Sequence, residues 1–437
     1  MNRFALRRLI SVLCTSGMLA TSTQVFASAY QLWEQDGASV GNYHAGYAAA
    51  ATDASISFYN PAGITRFKNQ QLVLSADSIM TSFKYQGTVG VNTILAGQPR
   101  TASGQGGNYS LVPSLHYVAP LSEILGFGFS VDVPFGLKTT YGRQTIIRYV
   151  TTTAALTVVD ISPALAIQLN PKASFGAGLD IQRMYAEIDK VGGLGFPTFE
   201  AQSYNKANDT GYGYHLGGLY QFSPQSRLGL SYHSQVVHHL TGSSAFVGPL
   251  AIAFADHSFS SQAYANITLP PYTALSIYHK FFPALAIMGS AIYTQWNVQT
   301  SLAMHNLSGI EHLQPSKSIN VSIPEFSRNT WNFSVGADYN ATDAIILRGA
   351  LGYDQTPILT KYRNLLVPDN DRFVMAMGAH YQASKAIGLD AGWSHFFIQQ
   401  ATINPPPQAS GDQVVITNGS SNGGADVLAA QITWDIA

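Results

Sequence analysis

Ser231, His233 and Ser234 stand close together, and two histidines adjoin at His238 and His239. A serine activated by histidine is a nucleophile, but the base needs a carboxylate to orient it, and none sits at a fitting position. The paired histidines lack a third ligand at a recognisable spacing, so no metal is expected there. Neither group reads as a catalytic centre, and the expectation is a non-enzyme without a cofactor. Two apolar stretches point to a different chemistry. Phe246, Val247, Leu250, Ile252 and Phe254 fall in a stretch read as the loop 242–258, and Leu194, Phe196 and Phe199 in the loop 190–210. Apolar side chains on a loop in water are unfavourable unless covered. They mark a site for a hydrophobic molecule, or they pack on one another over the mouth of the structure that carries them.

That structure is suggested by composition. Of 437 residues only 11% are charged, against roughly 25% in a typical soluble protein. Hydrophobic residues make up 46%, yet outside the leader they never gather into the runs of about 20 that a membrane helix needs. Arg3, Arg7 and Arg8 precede an apolar stretch from Leu9 to Ala20, and Val25-Phe26-Ala27 forms a small-residue cleavage site. Residues 1–27 therefore read as a secretory signal peptide. Cys14, the one cysteine, lies within it, so no disulfide or thiolate metal site is expected in the mature chain. The formal charge of −1 becomes about −4 when those three arginines leave with the leader, which argues against nucleic acid as a partner.

Beyond the leader, short segments alternate apolar with polar or small residues. Phe175, Ala177, Leu179 and Ile181 oppose Gly176, Gly178, Asp180 and Gln182; Trp331, Phe333, Val335 and Ala337 oppose Asn332, Ser334 and Gly336. Period two is the signature of a strand with unlike faces. Short breaks (120–123, 170–172, 223–226, 282–284, 340–343, 383–385) alternate strictly with long ones near 88–108, 136–155, 190–210, 241–259, 300–326, 355–370 and 400–423. A transmembrane antiparallel barrel, with short periplasmic turns and long external loops, sorts its connections this way. About 14 strands are expected, the last starting near 424. Tyr212, Tyr220, Trp296 and Trp331 near segment ends fit an interfacial girdle. Residues 28–70 precede the barrel (71–437) and contain Asn60-Pro61-Ala62-Gly63, which must turn. They are long and apolar enough to form a plug, or hatch, inside the lumen.

Four motifs together resemble the outer-membrane long-chain fatty-acid transporter family, which includes aromatic-hydrocarbon channels. They are Ser28-Ala29-Tyr30-Gln31-Leu32-Trp33-Glu34 at the mature start, Asp53 with Asn60-Pro61-Ala62, Val112-Pro113-Ser114-Leu115-His116-Tyr117, and Val367-Pro368-Asp369-Asn370-Asp371-Arg372-Phe373. The resemblance implies a Gram-negative outer-membrane barrel with an N-terminal plug, in which Asn60, Pro61 and Ala62 form the plug motif. It further implies capture by external apolar loops, binding in the lumen and plug-gated lateral release beside a kinked third strand. Gly126, Gly128, Pro134 and Gly136 lie in or just after that strand, where glycine and proline permit a kink. A fatty acid's carboxylate needs a cation when it leaves water, and the family pattern puts a basic residue at Lys190, with Arg328 as a second candidate. The expected partners are a hydrophobic ligand and outer-membrane lipid, and the expected state is a monomer. Aromatic-hydrocarbon uptake is the alternative within the family, and a general diffusion porin the alternative outside it. The chain departs from the family in its shorter external loops and in ending Trp434-Asp435-Ile436-Ala437, without a terminal aromatic.

Overall fold

A computed structural model describes residues 29–92, 98–193, 200–253, 258–312, 314–325 and 327–436. Residues 1–28, with the expected signal peptide and Ser28, lie outside the described residues. Fourteen antiparallel strands form one closed barrel. They are β1 (Gln70–Val91), β2 (Arg100–Gln105 and Tyr109–Pro120), β3 (Leu125–Thr140), β4 (Thr153–Asn170) and β5 (Ala173–Gly193). Next come β6 (Glu200–Ser223), β7 (Ser226–His233 and Val236–Val247), β8 (Ser258–Leu269 and Tyr272–Phe282) and β9 (Leu285–Thr294 and Ser301–Glu311). The circuit continues with β10 (Gln314–Pro324 and Thr330–Asn340), β11 (Ile345–Asp354), β12 (Arg372–Gln382), β13 (Ile387–Ile403) and β14 (Gln413–Ile436). β14 returns to β1, pairing from Gln70↔Ile436 to Val91↔Val415 along all 22 residues of β1. Closure matters because an open edge in hydrocarbon would leave backbone groups without partners.

The alternation read from sequence sorts onto the two faces of this wall. Leu179 is 61% exposed and Val335 62%, on the outer face, whereas Asp180 and Asn332 are buried on the inner one. An apolar outside with a polar inside suits a wall solvated by lipid.

Several expected loops are strand instead. Residues 200–210, 241–247, 301–311, 314–324 and 413–423 all pair with neighbours. Above the bilayer both faces of a hairpin meet water or protein, so apolar alternation fades while backbone pairing persists. Sequence patterning therefore finds each strand only where it crosses lipid. Trp296 also departs from the expected girdle: it is 1% exposed and turned into the lumen.

Residues 29–69 fill the lumen, ahead of β1. Helix α1 (Gly37–Asn42) is N-capped by Asp36, whose carboxylate accepts from the Ser39 amide at 2.8 Å. Helix α2 (Ile56–Tyr59) runs into a 3-10 turn over Pro61–Arg66. These elements touch opposite sides of the wall, and glycines make the contacts possible. A Cβ on Gly392 of β13 would lie 2.7 Å from the Gly41 nitrogen. Across the barrel, one on Gly217 of β6 would lie 1.9 Å from Asn60 Oδ1, and one on Gly229 of β7 1.8 Å from the Ala48 oxygen.

Candidate ligand path and its plug

Three small cavities follow β9 inward from the external rim, the third lined also by Gln299, Glu325, Ser327 and Asn364. The first, about 50 Å³, is lined by Phe246, Leu250, Ile310, Ile319 and Lys190, with Asp412 and Gln413 at its edge. The second, also about 50 Å³, lies between Leu240, Ile267, Leu302, Met304 and Leu307. The third, about 30 Å³, is bounded by Tyr30, Trp296, Ile358, Tyr362 and Val367, where Tyr30 meets Trp296 edge to face at 4.9 Å. In β9 and the segment before it, Ser308–Ile310, Leu302–Leu307 and Trp296–Gln299 border the three in turn. All are far below the ~300–1,000 Å³ of a typical small-molecule pocket.

The expected capture residues divide. Phe246 ends β7 and Leu250 sits in a short helix, α3 (Pro249–Ala253); both are 3% exposed and share the outer cavity, whereas Ile252 is 64% exposed. Leu194, Phe196, Phe199 and Phe254 lie outside the described residues. Lys190, near the end of β5, lines the same cavity, and among the described residues its ammonium has no hydrogen-bond or ion-pair partner. Arg328 is elsewhere and already engaged: its guanidinium pairs with Asp371 at 2.8 Å and donates to the Thr356 carbonyl at 3.0 Å. Lys190 and Arg328 line no common cavity among the described residues.

The four residues expected to kink β3 fall into two groups. The strand pairs with β2 only from Pro120↔Gly126 to Leu115↔Val131, and its register against β4 slips between Asp132 and Phe135. Gly126 and Gly128 lie in the regular, paired part; a Cβ on either would come within 2.6 Å of Ile64. They are seats for the 3-10 turn rather than hinge points. Pro134 and Gly136 belong to the slipped part, where β2 no longer supplies partners. The N-terminal segment supplies them instead: Leu32 N–H donates to the Pro134 carbonyl at 2.9 Å, and Gly136 N–H to the Tyr30 carbonyl at 2.7 Å. Gln35 adds a two-way clasp, donating to the Val133 carbonyl and accepting from its N–H, both at 3.0 Å. The stretch of β3 that β2 leaves unpaired is thus bonded to Tyr30, Leu32 and Gln35.

Asn60, Pro61 and Ala62 tie the plug to the wall. The Asn60 amide donates to the Ala48 carbonyl at 2.6 Å and to the Gly218 carbonyl at 3.1 Å, while its oxygen caps Ala62 N–H at 3.1 Å. Pro61, lacking an N–H, opens the 3-10 turn without leaving a donor unmet. Arg227 of β7 reaches in to the Ala49 carbonyl at 2.5 Å and also donates to that of Ala50. Asn60→Ala is expected to loosen this turn by about 1–2 kcal/mol. Amide hydrogen exchange over residues 56–66 should then accelerate roughly tenfold or more; unchanged protection would show that Asn60 is dispensable to the anchoring.

Glu34 introduces pH into the same region. Burial pushes its carboxyl up from the ordinary 4.5 to about 7, opposed by its hydrogen bond from Trp33 N–H (3.1 Å) and by the charge of Arg372. The folded state therefore prefers the neutral acid. The stability this preference contributes is complete below about pH 4.5 and is lost as pH rises through about 7, at up to ~1.4 kcal/mol per unit. Plug protection is expected to fall over that window and, in Glu34→Gln, to stay level. A wild-type plug equally protected at both ends of the window would reject the assignment.

Pattern reading missed two features. Arg372 is buried against Asp354, its cross-strand partner, at 3.2 Å, and lies 3.8 Å from Asp369, which accepts from Ala29 N–H. Its motif was visible, but its pairing across strands was not. The cross-lumen glycine contacts likewise have no local sequence signal. The suspected Ser-His pairs form no catalytic arrangement. His233 stacks between His215 and Tyr272, while His238 is buried and its neighbour His239 exposed, bonded to Asn266.

Such a barrel carries compounds that water rejects across the outer membrane of a Gram-negative cell and does no chemistry on them. Comparison with known proteins narrows that class. The chain belongs to the outer membrane protein transport protein family, OMPP1/FadL/TodX, whose profile matches residues 18–436. A long-chain fatty acid transport protein of Salmonella typhi is 25% identical over 410 residues, which are 88% of this chain and 91% of that one. The crystal structure of a Pseudomonas aeruginosa FadL homologue shares its fold with a TM-score of 0.82 at 23% identity, covering 93% of this chain and 100% of that one. A toluene transporter of Ralstonia pickettii gives 0.62 at 17% identity over 92% and 98% of the two chains.

Proposed function

We propose that this barrel imports long-chain fatty acids, with residues 28–70 as its gate. The observation that carries this reading is Lys190, an ammonium without a partner among the described residues, on the wall of a cavity at the external rim that Phe246, Leu250, Ile310 and Ile319 line together with serines, Asp412 and Gln413. A hydrocarbon has no use for a cation there; an amphiphile with a carboxylate does, because the ion pair offsets desolvation of the headgroup. The acyl chain then follows the cavities along β9 to Tyr30 and Trp296, reaching the N-terminal segment that stitches β3. Displacing that segment would unpair β3 beside β2 and open a lateral exit into the outer membrane. One barrel contains the whole path, so a monomer suffices. The relative from Salmonella typhi, named for long-chain fatty acids, supports the same substrate class.

Uptake of labelled oleate by cells lacking their own fatty-acid transporter, with this barrel restored, tests the reading. Uptake well above the empty control supports it. Surface-expressed barrel that admits toluene but no oleate would transfer the assignment to aromatic hydrocarbons.

A further inference from the structure

Beside the plug, the lumen wall carries a cluster that the transport path does not use. Asp180 of β5, His215 of β6 and His233 of β7 are all buried, and one ligand atom from each lies within 4.8 Å of the other two. His215 Nδ1 meets the Asp180 carboxylate at 2.6 Å, and its Nε2 is buried without a partner; so is Nε2 of His233. We propose that Asp180, His215 and His233 bind a divalent transition-metal ion of the zinc class, at a site in the wall that bears on the plug.

The donor set favours this class. Two imidazoles and one carboxylate suit zinc, copper or nickel, whereas magnesium and calcium prefer all-oxygen sites. An ion between His215 Nδ1 and the Asp180 carboxylate would replace the proton they now share, and His233 supplies the third donor. The His215 ring lies in the space that a Cβ on Gly178, its cross-strand neighbour on β5, would fill, and beside Asp180 its neighbour Gly213 likewise makes way for Val236 and Ser234. The two imidazoles now stack, 5.1 Å between centroids and 15° from parallel. Capture requires one ring to turn out of the stack so that both lone pairs converge. The site connects to the plug because the His233 ring also packs on Phe58 of α2 at 5.1 Å and on Tyr272, whose hydroxyl meets that of Tyr47 at 3.1 Å. The ligands come from three strands, so no short sequence spacing announces them.

The test is cobalt titration of untagged, chelator-treated mature protein in detergent micelles. About one equivalent should give the intense visible band of low-coordinate cobalt, and zinc should abolish it. His215→Gln and His233→Gln should each remove the band, and Asp180→Asn should weaken binding about 100-fold or more, since it removes a ligand rather than an outer-shell partner. Heat-modifiable gel mobility checks that each variant is still a folded barrel. Equal binding by wild type and both histidine variants, or no band in wild type, would overturn the proposal. A readout without variants is the electron paramagnetic resonance of one equivalent of bound copper. Nitrogen coupling from two imidazoles supports the site, and coupling from one or none refutes it.

Discussion

The substitution Gly229→Val is expected to turn a silent barrel into a conducting one. A Cβ at this position would lie 1.8 Å from the Ala48 oxygen and 2.3 Å from its carbonyl carbon. Both are backbone atoms, so no rotamer change can relieve the overlap. β7 cannot retreat, because it is hydrogen-bonded to β6 on one side and β8 on the other. The plug must therefore move, and in moving it breaks the Asn60 bond to Ala48 and the Arg227 bonds to Ala49 and Ala50. Purified wild-type barrel in a planar bilayer should carry no steady current, while the variant should show long-lived openings of porin size. Cells bearing it should become sensitive to large hydrophilic antibiotics. Gly217→Val, which would drive a Cβ to 1.9 Å from Asn60 Oδ1, should act alike. Two variants as silent as wild type would show that the plug can shift sideways without unsealing the lumen.

Lys190→Met is expected to reduce oleate uptake about 10- to 100-fold at limiting ligand, the loss of one charge-assisted hydrogen bond in a desolvated setting (~1.5–3 kcal/mol). The substitution keeps the length and apolar bulk of the side chain, so the cavity of Phe246, Leu250 and Ile310 retains its shape. Two companion measurements make the result interpretable. Lys190→Arg should preserve most uptake, and toluene uptake should be the same in all three proteins. If Met and Lys behave alike with oleate, the headgroup is held elsewhere and the capture scheme fails at its first step. If toluene uptake falls in parallel, the substitution has damaged the path rather than removed a headgroup anchor.

How far the sequence could be read follows from which residues face lipid. Phe175, Leu179, Val335 and Phe373 alternate with small or polar residues because one face of each strand is solvated by hydrocarbon, and that pattern is local. Where the hairpins rise above the membrane, as at Glu200–Thr210, neither face is apolar and the strand reads as loop. Phe246 and Leu250 were recognisable as apolar residues out of place, yet what buries them, Ile310 and Ile319, comes from β9 and β10. Gly126 and Gly128 show the opposite difficulty. Their composition suggests a hinge, but their use depends on Ile64, some 60 residues earlier in the chain, which no local pattern can reveal. The Asp354–Arg372 pair and the Asp180–His215–His233 cluster are hidden for the same reason. Strand register brings them together, and register is set by the whole circuit of the barrel.

That circuit closes where the chain's first strand meets its last, along all 22 residues of β1. The strand that β1 pairs with there is therefore made long after β1 itself. A copy that stops before Gln413 can make its other hairpins but carries two raw edges into the bilayer, each a ladder of unpaired amides and carbonyls. Completeness becomes a topological property that the membrane itself can inspect. Only a chain that includes Gln413–Ile436 has no edge to reject, so copies that stop before it are expected to stay in the periplasm, within reach of its proteases.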